Sequence, residues 1–222
     1  MQLFADRADA GRQLADSLAE YADDPNVIVL ALPRGGVPIG YEIAHRLHAP
    51  LDVYVVRKLG VPGHEELAMG ALASDGTCVV DEELIESLGI DRPALDEVVR
   101  REMDELQRRN VAYRDARPEP QLAGKTAIVV DDGLATGATM RAAAKSLSRR
   151  SPAAIVAAVP VAAARTCTGL RGVVDRVVCV YAPEPFHAVG LYYQNFEQTT
   201  DDEVRHLLAK ADAERTGRRM SA

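Results

Sequence analysis

The stretch AIVVDDGLATGAT, residues 127–139, decides the reading of this chain. Four apolar residues run into two adjacent acids, Asp131 and Asp132, and then into a loop of Gly, Ala and Thr. Neighbouring carboxylates repel each other, and a loop of small residues has little side chain to pack, so burial explains neither. Small residues let successive backbone N–H groups turn inward, and a following helix adds its positive amino end, which suits residues 134–139 to a phosphate. Thr136 and Thr139 add hydroxyl donors. Two carboxylates are the wrong charge for a phosphate but accept hydrogen bonds from two adjacent hydroxyls, such as those of a ribose ring. The stretch therefore reads as a cradle for a ribose 5-phosphate. Taken alone it reads equally as an Asp-Asp-Gly turn before a capped helix. It is neither a Walker A loop, which ends in Gly-Lys-Ser/Thr, nor a G-x-G-x-x-G dinucleotide loop.

Outward from that stretch, strands alternate with helices. NVIVLAL (26–32) is wholly apolar and β-branched, the pattern of a strand buried on both faces of a parallel sheet. LDVYVV (51–56), TAIVV (126–130), AAIVAAVPV (153–161) and VDRVVCVYA (174–182) read as further strands. Leu14, Leu18 and Tyr21 predict an amphipathic opening helix over 8–22. VPIGYEIAHRL (37–47), ATMRAAAKSLSRR (138–150) and TDDEVRHLLAKADAER (200–215) predict three more. ELAMGALA and GTCVVDEELI read as strands or short pieces around a turn at Asp75-Gly76, and RKLGVPGHEE (57–66) reads as a mobile loop. Residues 91–117 hold seven basic and seven acidic residues. Asp96–Arg100, Glu97–Arg101, Asp104–Arg108 and Glu105–Arg109 each place the acid four residues before the base, an orientation contributing roughly 0.2–0.5 kcal/mol per pair to a helix. Leu95, Val99, Met103 and Leu106 supply its inward stripe, the charges read as a solvated face, and ARPEPQLAG (116–124) reads as a linker. The alternation gives an α/β fold with a mainly parallel sheet.

The 222 residues, 47% hydrophobic and 27% charged, suit one globular domain with a proper core. A net charge of -7 argues against a broad nucleic-acid or anionic-membrane surface, which would be basic. Cys78, Cys167 and Cys179 form neither a CxxC pair nor an even set, so a reducing cytoplasm is the expected compartment. The first sixteen residues carry acids and no apolar core, unlike a signal peptide, and no run of about 18 apolar residues predicts a membrane span.

In parallel sheets the ligand crevice lies at the carboxyl ends of the strands. Three predicted strand ends carry unusual chemistry: Pro33-Arg34-Gly35-Gly36, Arg57-Lys58, and Asp131-Asp132 with its loop. Taken with these, AIVVDDGLATGAT resembles the phosphoribosyl pyrophosphate (PRPP) signature of type I phosphoribosyltransferases, and the order of the other elements agrees over about residues 25–185. LPRGGVPIG resembles the family's first-strand loop, and Arg57-Lys58 with the loop behind it resembles the flexible lid. The resemblance implies that Asp131 and Asp132 hold the ribose hydroxyls. Ala135, Thr136, Gly137, Ala138 and Thr139 would hold the 5-phosphate, and Arg34, Gly35, Arg57 and Lys58 the pyrophosphate. Arg34, Arg57 and Lys58 would then act catalytically on the leaving group.

It further implies Mg²⁺ carried mainly by PRPP rather than by a protein metal site, a nitrogenous base as acceptor, a role in nucleotide salvage, and a homodimer. The implied architecture is one phosphoribosyltransferase-like domain over 1–222, its mainly parallel sheet flanked by helices, with a helical insertion at 81–118 and an aromatic hood at 183–200. In the hood, Phe186 is the candidate for stacking on the acceptor, with His187 second; Tyr192, Tyr193 and Phe196 fit a local core better. His64 in the lid reads as a solvated histidine. The insertion is absent from the smallest members of the family, and the lid lacks the Ser-Tyr pair of the purine-salvage branch. The alternative to a transferase is a PRPP-sensing regulator.

Overall fold

Every residue of β1 (Val27–Ala31) is buried, as a strand covered on both faces requires. The computed structural model describes residues 3–73, 76–114 and 119–221. Among these, β2 (Leu51–Val53), β1, β6 (Thr126–Val130), β7 (Ala154–Val161) and β8 (Arg176–Tyr181) lie side by side in that order as one parallel sheet. Val27 pairs with Thr126, and Thr126 with Ala154, in step, so β1, β6 and β7 deliver their carboxyl ends to one edge.

Two helical layers account for the burial. On one face α1 (Arg7–Asp16) and α2 (Gly36–Leu47) bring Leu14, Ile39, Ile43 and Leu47 against Val27, Val29, Ile128 and Val130. On the other, α5 (Ala138–Ser148) brings Met140, Ala143 and Leu147 against Leu30, Val129 and Ala157. Each large side chain buried this way contributes about 1.5–3 kcal/mol relative to exposure. The expected opening helix over 8–22 stops at Ser17, whose amide bonds back to Leu14 and Ala15, and a separate 3₁₀ turn spans Ala19–Tyr21. The closing helix, α7 (Asp201–Ser221), runs past the expected end at 215. Short α6 (Ala164–Leu170) joins β7 to β8.

The segment between β2 and β6 departs from the expectation. LDVYVV is two strands, because β2 ends at Val53 and β3 (Val56–Val61) begins a second sheet. RKLGVPGHEE is no loop: β3 pairs antiparallel with β4 (His64–Ala73), which pairs with β5 (Cys78–Val80). Pro62 and Gly63, the latter at φ +76°, make the turn. Leu59, Met69 and Leu72 are buried against Leu95, Val98 and Leu106 of α4 (Arg92–Arg114), and this packing overrides the polar, glycine-bearing look of the sequence. A short α3 (Glu82–Ser87), capped by Asp81, precedes α4. Of the four predicted acid-to-base pairs in α4, Glu105–Arg109 is present, whereas Arg100 and Arg108 reach back three residues to Glu97 and Glu105. Both spacings bring side chains together on a helix, so an arginine can choose either. Part of the expected turn at Asp75-Gly76, the start of the 116–124 linker and the end of the 81–118 insertion lie outside the described residues.

Candidate active site

The edge formed by the ends of β1 and β6 gathers two of the three segments singled out from the sequence. Leu32 donates its amide to the Val130 carbonyl at 2.8 Å, which lays Pro33-Arg34-Gly35-Gly36 across the end of β6. The Pro33–Arg34 peptide is cis. A Cβ on Gly35 would stand 2.0 Å from Asp132 Oδ2, and one on Gly36 would stand 2.5 Å from the Val130 carbonyl. Only glycine permits this approach of the β1 loop to the two acids. The residues expected to hold pyrophosphate (Arg34, Gly35) and ribose (Asp131, Asp132) therefore share one wall. Arg34 is held by Asp201 of α7 at 3.7 Å, and Asp201 also accepts a 2.6 Å hydrogen bond from the Tyr113 hydroxyl of α4.

The next segment completes the crevice. Gly137 caps α5 in the left-handed region at φ +71°, and a Cβ there would lie 2.6 Å from Thr166 Cγ2. Thr166 of α6 donates from Oγ1 to the Ala135 carbonyl at 2.6 Å, bracing the loop from behind, while the Ala138 amide donates to Thr136 Oγ1 at 3.4 Å. Ala138 and Thr139 open α5, and α2 begins at Gly36, so two helix amino ends serve the loops of this edge, as suits an anion. Arg141 Nη2 comes within 4.0 Å of that same Cβ position and adds a full positive charge.

Asp131 and Asp132 differ despite their adjacency. Asp131 Oδ1 accepts from the Asp132 amide at 2.9 Å. Burial first, and the charge of Asp132 second, hold its carboxyl well above the usual range. Burial also raises Asp132, opposed by Arg7. Arg7, the first residue of α1, donates to Asp132 Oδ2 through Nε at 3.0 Å and Nη2 at 2.8 Å, and through Nη1 to the Glu197 carbonyl at 2.6 Å. Its guanidinium lies 3.9 Å from the centre of the Phe196 ring. Tyr193 donates its hydroxyl to the Asp132 carbonyl at 2.6 Å. Nothing in the local sequence around Arg7 announces this role; its partner is 125 positions away.

Arg57 and Lys58 are not gathered into this wall. Alternation along β3 turns them to opposite faces. Arg57 binds Glu102 of α4 at 2.7 and 2.8 Å, so one charge of the predicted solvated face is in fact buried and paired. Lys58 is exposed, as is His64. In the hood, half-buried Phe186 stacks on Tyr192 with ring centres 5.5 Å apart, and His187 is exposed. Tyr193 and Phe196 pack at 4.9 Å beside Phe4 and form the local core expected of them. Among the described residues, no three His, Cys, Asp or Glu side chains converge as a metal cage, and no helix is long and apolar enough to cross a membrane.

Comparison with known proteins gives a consistent result. The profile of the phosphoribosyl transferase domain matches residues 2–192. Two proteins of Mycobacterium tuberculosis, from strains CDC 1551 and H37Rv and provisionally named phosphoribosyl transferases, are each 47% identical over 211 residues. That match takes in 95% of this chain but 47% of theirs, so the chain spans about half the length of these relatives. The crystal structure of TT1426 from Thermus thermophilus superposes with a TM-score of 0.84 at 38% identity, covering 95% of this chain and 99% of that one.

Proposed function

This chain belongs to the phosphoribosyl transferase domain family, and on that premise we propose that it moves the phosphoribosyl group of PRPP to a nitrogenous base and releases pyrophosphate. One observation carries the reading. The paired acids at the end of β6 and the loop capping α5 are contiguous, and the Pro33-Arg34-Gly35-Gly36 loop is pressed against the same acids. A sugar with a diol, a 5-phosphate and a pyrophosphate on C1 asks for these three elements together.

In this proposal Asp131 and Asp132 accept hydrogen bonds from the ribose hydroxyls through the carboxylate oxygens left free by the Asp132 amide and by Arg7. The backbone of Ala135, Thr136, Gly137, Ala138 and Thr139, with the start of α5, holds the 5-phosphate. The bond from C1 to the pyrophosphate oxygen breaks as a nitrogen of the base bonds to C1; the pyrophosphate leaves with the electron pair, and a proton carried by that nitrogen is released to the pyrophosphate or to solvent. Arg34 and the Gly35 backbone stabilise that growing negative charge, with Lys58 and Arg57 contributing once Arg57 exchanges Glu102 for the leaving group. Mg²⁺ would be carried mainly by PRPP rather than by a protein metal site, and would supply further positive charge against the pyrophosphate. Phe186 offers a flat apolar surface to the acceptor ring.

The test is pyrophosphate release from PRPP and Mg²⁺ with a panel of purine, pyrimidine and pyridine bases. Release that depends on one of the bases is expected. PRPP binding without release for any base would replace the transferase with a PRPP-sensing regulator, and absence of PRPP binding would remove both.

A further inference from the structure

Three segments of different proposed duty meet at one side chain that none of them contains. Arg7 Nε lies 3.4 Å from the Cβ position of Gly35 in the β1 loop. Its Nε and Nη2 hold Asp132, its Nη1 holds the Glu197 carbonyl, and its flat face covers Phe196 of the hood. The side chains of Arg7 and Asp132 are 11% and 19% exposed, so solvent screens the pair weakly. The backbone reinforces the link. Leu3 and Phe4 donate amides to the Tyr192 carbonyl at 2.9 and 3.0 Å, and Gln194 and Asn195 donate to the Phe4 and Ala5 carbonyls at 2.9 Å. Residues 3–7 and 192–197 thus grip Asp132 as one unit, with the Tyr193 hydroxyl on its carbonyl and Arg7 on its carboxylate.

We infer that Arg7 is a positioning residue that sets the direction of the free Asp132 oxygen toward the ribose and makes that direction depend on an ordered hood. The inference rests on the reading of Asp132 as a diol ligand. A lysine could not substitute, because one ammonium cannot grip a carboxylate oxygen with two N–H groups, reach a carbonyl and lie flat on a ring at once. In this inference Arg7 acts through Asp132, whose Oδ2 it already holds.

The experiment compares binding of ribose 5-phosphate and 2-deoxyribose 5-phosphate by calorimetry in the parent, Arg7→Lys, Arg7→Met and Phe196→Leu. A diol clamp favours the ribo sugar, and a role confined to stability would weaken both ligands alike. The expected result is a parent preference of about ten- to a hundredfold, the worth of a hydrogen bond to a charged group, falling to near unity in both Arg7 variants. Affinity for the deoxy sugar should change little, and Phe196→Leu should fall between. Arg7→Lys retains the charge, so it remains folded if Arg7→Met does not. A preference kept intact in Arg7→Lys overturns the inference and leaves the functional reading standing. A parent without preference overturns the diol reading, and the inference with it.

Discussion

Asp131→Asn will leave the ligand-free protein more stable than Asp132→Asn does, although the two acids are neighbours of one type. The Asp131 carboxyl is held well above its ordinary 3.8 by burial and by the charge beside it. A group raised in the folded state contributes stability that is fully present below its unfolded value and is lost as pH rises through its folded value. Near pH 7 the parent therefore carries an electrostatic cost that the amide removes, and Asn Oδ1 can still accept from the Asp132 amide. Asp131→Asn should melt at the same temperature as the parent or higher at pH 7, the difference shrinking as pH falls toward 3.8. Asp132→Asn removes the charge facing Arg7. Breaking a buried pair from one side costs about 3–5 kcal/mol. Burial outweighs Arg7 at the Asp132 carboxyl, so the amide relieves part of that loss; Arg7 keeps Glu197 and Phe196, and Asp132→Asn should lie about 1–3 kcal/mol below Asp131→Asn. For a domain of this size that is a gap of about 2–12 °C between the two variants. Scanning calorimetry from pH 4 to 8 reads both variants. Equal falls at pH 7, or an Asp132→Asn protein as stable as Asp131→Asn, would refute the assigned division between a strained acid and a paired one.

Gly35→Ala puts a methyl group 2.0 Å from Asp132 Oδ2 and should lose ribose 5-phosphate affinity at least tenfold, with overpacking costing about 1–3 kcal/mol by thermal melt. Gly137→Ala meets both φ +71° and the Thr166 methyl group, so it should lose phosphate binding and also stability, by about 1–3 kcal/mol; normal binding would make the loop a mere helix cap. Replacing both Arg57 and Lys58 by Ala should lower pyrophosphate release by about two to three orders of magnitude while PRPP affinity falls only about tenfold, because those contacts form chiefly in the reacting state. Adding Glu102→Gln to that variant, which removes the carboxylate left buried, should restore stability without restoring the rate.

What the sequence disclosed was local. The runs that became β1, β6 and β7 are apolar apart from Thr126 at the start of β6, as a strand with two covered faces requires. AIVVDDGLATGAT holds acids, loop and helix start within thirteen residues, so its chemistry could be read without knowing the fold. The hairpin of β3 and β4 escaped because β3 holds Arg57, Lys58 and Gly60, which weaken every strand signal. Gly60 is there for a bulge, where a Cβ would stand 2.7 Å from the Glu65 carbonyl. Glu102 is one of seven acids in residues 91–117, and only the packing of β3 on α4 sets it apart. Arg7 and Tyr193 reach Asp132 from opposite ends of the chain, and no spacing rule connects such positions.

That hairpin changes the thermodynamics of ligand capture. A ten-residue coil that ordered over its ligand would give up about 1–2 kcal/mol of backbone entropy per residue at the moment of binding. In β3 and β4 that entropy is surrendered when the protein folds, because Arg57 already pairs with Leu72 and Lys58 with Ala71. Whatever carries Lys58 toward a bound anion then moves a formed ribbon about its ends. The association should accordingly show a small entropic penalty and little ordering-dependent heat capacity, and its temperature dependence should resemble that of a rigid site.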